Sequence, residues 1–311
     1  LIRICDEQKS KGLKPVLCSV KWPFILLFFF AWTSFGQMLD NTKGEAFTDS
    51  PFFSSDFIRS NKIKELRGTF TYKKPGEVMR ATTYEYVYSF DVSGRLISTF
   101  ETRKDDGTKD TTGNRYVYDS EGRLSEHKIG DGKGYSVTHY EFDEKGRIVR
   151  ETYSREYRDT LGKWRRTELN SETMRYAESE KQLKRTVYNS YGLPYMEEFT
   201  YYNELGYLVK KEQRLLMTGE LMTISYAYNE KGLLSSLITT QYGIDTPIEE
   251  IQFAYDQNGN LEERRVYREG KYITEFEIIY NEKSRLLKYV ITRDVKTDFL
   301  MILGFKEYFF Y

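Results

Sequence analysis

The sequence predicts an all-β protein, in which tandem antiparallel β-hairpins add up to an extended, twisted or curled sheet. Three observations carry this expectation. A short unit recurs along the chain: an aromatic, any residue, an aromatic, Asp or Asn, two residues, Gly, one residue, then an aliphatic. The composition is skewed to rings, with 27 Tyr and 20 Phe against 3 Trp, and such residues suit pleated, half-buried surfaces. Finally, the residues before one turn alternate with period two. Tyr84, Tyr86, Tyr88 and Phe90 fall on one face, and Thr83, Glu85, Val87 and Ser89 on the other.

The clear units are Tyr88–Leu96, Tyr116–Leu124, Tyr140–Ile148, Tyr226–Leu234 and Phe253–Leu261. A further copy, Ile278–Leu286, has Ser284 where the others have Gly. Weaker copies are Phe70–Val78, with Lys73 at the acidic position, Thr200–Leu208, and Tyr188–Gly192, where Pro194 takes the aliphatic place. Between Gly146 and Gly192 the pattern lapses into a longer stretch that contains Trp164.

Each position has a physical task. The paired aromatics share a face of the incoming strand. Asp or Asn opens the turn because its short side chain accepts hydrogen bonds from N–H groups just ahead. Gly closes it, taking the positive φ that a type I turn followed by a left-handed residue demands. The turn residues are Asp91 and Gly94, Asp119 and Gly122, Asp143 and Gly146, Asn203 and Gly206, Asn229 and Gly232, and Asp256 and Gly259.

In these residues the chain resembles the YD-repeat, or Rhs-type repeat, family, with the segment from Gly107 to Leu124 matching most closely. The resemblance covers roughly Phe70 to Leu286. It implies an antiparallel sheet that curls as hairpins are added and that, in long members, forms a hollow shell around a toxic domain. This chain is short for such a shell, and the resemblance marks it as a short exported bacterial member.

The first 36 residues read as a leader. Lys9, Lys11, Lys14 and Lys21 form a positive flank, and the apolar run from Trp22 to Trp32 has the length of a signal peptide rather than of a bilayer span. Cleavage is expected near Gly36–Gln37, the alternative being an uncleaved anchor and the only membrane contact foreseen. The protein is therefore expected to be exported, to the periplasm, the outer surface or the medium. Residues 37–65, with Asp40–Gly44 and Ser50–Pro51, suggest a flexible lead-in. The repeat domain would run from 66 to 311, with the apolar tail Phe299–Tyr311 as a closing strand or contact surface. An exposed hairpin edge would invite pairing with another chain.

Charge and chemistry narrow the function classes. The 47 basic and 47 acidic residues balance, and the chain without its leader carries 42 and 45, which argues against a nucleic-acid binder. Both cysteines, Cys5 and Cys18, lie in the leader, so no disulfide or thiolate site is expected beyond it. No nucleophile, phosphate-loop, dinucleotide or metalloprotease motif appears, so neither catalytic residues, nor a metal, nor a cofactor is expected. His127 and His139 could approach one another if their strands pair. The turn acids answer to turn geometry rather than to calcium.

The aromatic rows, Tyr84, Tyr86, Tyr88, Tyr116, Tyr118 and Tyr140, read chiefly as core, with a sugar-binding surface as the alternative. The leading expectation is a non-catalytic structural or interaction protein that acts through its sheet surface or strand edges on a protein partner or an envelope glycan. A carbohydrate-binding module and a fragment of a toxin-delivery shell are the alternatives. Recognition is expected where the units depart from their rule, between Arg150 and Gln182 or in the C-terminal tail.

Overall fold

Each repeat turn closes as its residues require. In the computed structural model the Asp91 N–H bonds to Arg95 O at 2.9 Å and the Gly94 N–H to Asp91 O at 2.9 Å, with Gly94 at φ +82°. Beyond the turn the outgoing strand carries one extra residue, Ile97, so the pairing register slips between Ser89 and Phe90. The same slip falls at the second aromatic of the units at Tyr118, Phe142, Tyr202, Tyr228 and Tyr255. Where Ser284 replaces glycine the turn lengthens, and the left-handed residue becomes Arg285 at φ +57°.

The structure describes residues 36–102, 111–130 and 132–311. The expected signal segment lies outside them. Eighteen strands follow a six-residue helix, α1 (Ser55–Ser60). The first six are β1 (Ile63–Lys73), β2 (Arg80–Phe90), β3 (Leu96–Thr102), β4 (Thr111–Tyr118), β5 (Leu124–Gly130) and β6 (Gly134–Phe142). The next six are β7 (Ile148–Arg158), β8 (Trp164–Ser179), β9 (Gln182–Tyr188), β10 (Pro194–Tyr202), β11 (Leu208–Leu215) and β12 (Leu221–Tyr228). The last six are β13 (Leu234–Gln241), β14 (Glu249–Tyr255), β15 (Leu261–Arg268), β16 (Lys271–Tyr280), β17 (Leu287–Asp294) and β18 (Phe299–Phe310).

Every strand pairs antiparallel with the next, and β18 pairs with β1 from Ile63↔Phe310 to Lys73↔Leu300. The sheet is therefore a closed barrel, and the apolar tail is its closing strand. Closure corrects one expectation. A ring has no open edge, so pairing of a hairpin edge with another chain is not a route this fold offers.

One repeat spans two strands, so the chain returns to the same end of the barrel at every copy. The turns that begin at Asp91, Asp119, Asp143, Asn203, Asn229, Asp256 and Asn281 all lie at this repeat end. Two further Asx–Gly turns, Asp159–Gly162 and Asn189–Gly192, close β7–β8 and β9–β10 at the opposite end. The stretch where the pattern lapses is thus three strands, β7, β8 and β9, of which β8 is 16 residues long.

Alternation sorts the two faces. Tyr88, Phe90, Leu96, Tyr116, Leu234, Phe253, Leu261, Ile278, Leu287 and Phe305 point inward and are buried. Around β7–β11 the inner face is polar instead. The Tyr153 hydroxyl donates to Glu151 at 2.8 Å, Tyr195 donates to Glu172 at 2.8 Å, and Glu198 accepts from Arg185 and Gln213. The outer face carries ladders of opposite charges, including Lys184–Glu197, Lys210–Glu212, Arg265–Glu263, Arg293–Glu275 and a knot of Lys128, Glu126, Glu156 and Arg166.

The segment read as a flexible lead-in is the core of the barrel's repeat end. Met38, Leu39, Ala46, Phe52, Phe53, Phe57 and Ile58 are all buried against inward strand residues. Phe53 meets Tyr88 and Phe90 edge-on at 4.8 and 5.0 Å between centroids, contacts of about 0.5–1.5 kcal/mol each beyond area burial. Polar bonds fix the path: Asn41 Nδ2 donates to the Tyr255 hydroxyl at 3.0 Å, and the Tyr116 hydroxyl donates to Asp49 O at 2.8 Å. Helix α1 is capped by Ser54, whose Oγ accepts from Phe57 N–H. The polar residues of this segment form turns, as their types suggest, but its six large apolar side chains give it a buried place to be.

Candidate binding surface

The turn residues do local work. Asp119 Oδ1 accepts from the N–H groups of Glu121 and Arg123 at 2.9 and 2.8 Å, while its Oδ2 accepts from Arg123 Nε at 2.7 Å. Asp91 and Asp143 repeat this with Arg95 and Arg147, and Asn203 and Asn229 keep the two backbone bonds alone. Asp256 does the same with Asn260 in place of arginine. These side chains are spent on their own hairpins.

The arginine that follows Gly94, Gly122 and Gly146 has a task that the sequence reading did not assign. Its guanidinium lies over a ring of the next inward-facing aromatic row: Arg95 over Tyr118 at 4.7 Å, Arg123 over Phe142 at 4.6 Å and Arg147 over Tyr176 at 4.5 Å. Held by Asp on one side and a neighbouring ring on the other, it ties one hairpin to the next.

The aromatic rows face the interior. Tyr88 and Tyr116 are buried, and Tyr84, Tyr86 and Tyr118 pack against the core. Tyr140 lies on the same inner face, opposite Glu151. Burial raises the Tyr118 hydroxyl to about 12 and raises Tyr86 and Tyr140 as well. These rings are core, and an exposed sugar platform made from them is not what the barrel presents. The two histidines also stay apart. In the β5–β6 register His127 faces Thr138 and His139 faces Glu126, so they lie on opposite faces. His127 stacks on Tyr116 at 4.9 Å, and burial lowers its pKa; His139 is on the outside near Glu126.

The outer face has one place built differently. Cross-strand partners place Phe100, Gly113, Gly130 and Tyr135 in a row over β3–β6. Two adjacent glycines leave bare backbone between two rings. A side chain would not fit easily at Gly113, where a Cβ would lie 2.7 Å from Thr99 O, nor at Gly134, where it would lie 2.1 Å from Glu156 O. Tyr135 meets Trp164 at 5.7 Å between centroids, and Trp164 is 51% exposed. Arg115 lies over Tyr135 at 5.1 Å, and Arg158 over Trp164 at 5.2 Å. Together they bound a groove of about 690 Å³.

The groove's charge is as distinctive as its shape. Most arginines of the outer face pair with a carboxylate; among the described residues neither Arg115 nor Arg158 does, and among those residues no carboxylate lines the groove. Trp164 lies in the stretch where recognition was expected. Gly113, Gly130 and Gly134 were the overlooked signal, because they are glycines that no repeat turn requires.

Fold and surface together define a closed, internally plugged β-barrel with a charged exterior and one aromatic groove. No family model matches the chain, and no curated protein matches it. Among solved structures, a porin-like protein from Bacteroides uniformis is similar at 11% identity and a TM-score of 0.36, over 78% of this chain and 98% of that one. A porin-like protein from Bacteroides vulgatus is similar at 11% identity and a TM-score of 0.32, over 76% and 96%. TcdB2-TccC3 is similar at 13% identity and a TM-score of 0.29, where 70% of this chain corresponds to 15% of that one.

Proposed function

We propose that the chain is a non-catalytic exported binding scaffold that recognises its ligand on the outside of the barrel, at the groove beside Trp164. The observation that carries this is the plug: residues 38–58 occupy the repeat end of the barrel and close that mouth, while the outer face keeps an open groove. The ion-paired exterior favours a barrel immersed in water, since a membrane-spanning barrel turns an apolar band to lipid. Export is supported by the positive flank and the apolar run Trp22–Trp32.

The repeat's likeness to YD-repeats bears on construction more than on action. A toxin shell needs a hollow interior, and this chain's own N-terminal segment fills that position. The test is capture of a partner from envelope extract by the full chain and by a Trp164→Ala variant. Retention of one defined component by the first and its loss from the second is the expected result. Stepwise ion conductance in a planar bilayer, or capture that ignores Trp164, would overturn the proposal.

A further inference from the structure

We infer that the groove between Phe100 and Trp164 binds an acidic saccharide, a chain of hydroxylated rings that bears carboxylates; this rests on the outer-surface reading above and names its ligand class. Three features converge. The exposed Trp164 ring and its neighbour Tyr135 offer the flat π-faces on which the C–H faces of a sugar ring can lie. The Gly113↔Gly130 pair removes side chains from the floor, so a ring can lie close to the backbone between two aromatic walls. The volume of about 690 Å³ falls within the range of small-ligand sites.

Charge selects among sugars. Arg115 and Arg158 are held over the two rings, with no carboxylate partner among the described residues. A planar guanidinium fixed by stacking retains N–H donors at its rim, which suit the fork of a carboxylate. At several other places on this exterior the chain supplies the counter-charge itself, as Glu156 does for Lys128 and Arg166. At the groove the ligand supplies it. A neutral saccharide would use the rings and leave both guanidiniums unanswered.

The experiment is calorimetric titration of the full chain with trigalacturonate and, as control, with its carboxyl-reduced neutral counterpart. Trigalacturonate is expected to bind at least tenfold more tightly than the neutral trimer, and more weakly as salt rises. Trp164→Ala should weaken binding at least tenfold, with partial rescue by Trp164→Phe. Arg158→Gln should weaken only the charged ligand, and unchanged melting temperatures would show that these variants fold.

Failure to bind either trimer, equal affinity for both, or binding indifferent to Trp164→Ala would overturn the inference. If neither saccharide binds while envelope capture still depends on Trp164, the ligand class is wrong and the scaffold reading stands. If capture also ignores Trp164, both fall.

Discussion

The Tyr118 hydroxyl donates a 2.8 Å hydrogen bond to the backbone carbonyl of Leu96, the residue that resumes the strand after the preceding turn. The relationship recurs around the barrel: Tyr228 to Leu208 at 2.8 Å, Tyr255 to Leu234 at 2.7 Å and Tyr280 to Leu261 at 2.9 Å. The final tyrosine of one unit is thus read by the final aliphatic of the unit before it. This explains why the position before Asp or Asn favours Tyr over Phe, which burial alone would not require.

Removing one rung should cost a measurable amount. Tyr118→Phe deletes a single hydroxyl and leaves the Leu96 carbonyl without that donor, which corresponds to about 1–2 kcal/mol. Tyr228→Phe, eight strands away around the ring, should cost a similar amount, and the double variant should lose the sum, because the sites share no partner. Urea denaturation of the three variants checks this, and a strongly non-additive double variant would show that the rungs act as one network.

Buried tyrosine hydroxyls should titrate late. Burial raises Tyr118, Tyr195 and Tyr226 to about 12, against an ordinary tyrosine value of about 10. A raised folded value means the stabilisation is complete below the unfolded value and is lost as pH rises from there through the folded one. Phenolate absorbance followed from pH 9 to 13 should therefore show exposed tyrosines ionising first. A second group should appear only near pH 12, together with loss of strand signal in circular dichroism. One transition near pH 10 with the fold intact would contradict the burial.

At the acid end the turns should report. The Arg147 side chain, and then its N–H, hold Asp143 below the usual carboxylate range; the N–H of Lys163 and then the Arg165 side chain do the same for Asp159. A depressed folded value means the contribution is present above the unfolded value and fades as pH falls through the folded one. Asp143→Asn should flatten the stability profile below about pH 4. Its turn should survive, since Asn203 and Asn229 accept the same two backbone bonds. Matched urea midpoints at pH 7 and pH 3 test this, and identical acid dependence in both proteins would refute it.

What could be read in the sequence was local. Asp91 and Gly94 are three residues apart, so their turn, the strand alternation before it and the inward face of Tyr88 and Phe90 all follow from short-range chemistry. The apolar tail pointed to a closing strand or a contact surface, but closure of the sheet into a ring depends on β1 and β18 meeting across the whole chain. The plug was not legible, because its partners are remote: Asn41 bonds to Tyr255 across 214 positions, and no pattern within residues 37–61 announces that cavity. The turn at Asp159 was hidden for a different reason. Its copy faces the other end of the barrel and breaks the spacing by which repeats are recognised. The groove was half visible, in Trp164, but its floor depends on Gly113 and Gly130 meeting across two strands.

Two glycines with nearly the same backbone offer the sharpest test of the plug. Gly94 and Gly206 sit at φ +82° and +81° in equivalent turns, so replacing either with alanine incurs the same left-handed strain, about 1–2 kcal/mol. Their surroundings differ. A Cβ at Gly206 meets nothing within 4 Å, whereas at Gly94 it would lie 2.1 Å from the carbonyl oxygen of Ser55 and 2.8 Å from the Arg59 nitrogen, both backbone atoms of α1. Backbone cannot swing aside as a side chain can, so Gly94→Ala must push α1 away and disturb Phe57 and Ile58 behind it. The expected result is that Gly206→Ala lowers stability by the strain alone. Gly94→Ala should lose at least 2 kcal/mol more, in the range of core disruption, and should expose the segment between Gln37 and Asn61 to protease. Equal losses for the two variants, or a segment as resistant in Gly94→Ala as in the wild type, would mean that α1 is not seated against this turn.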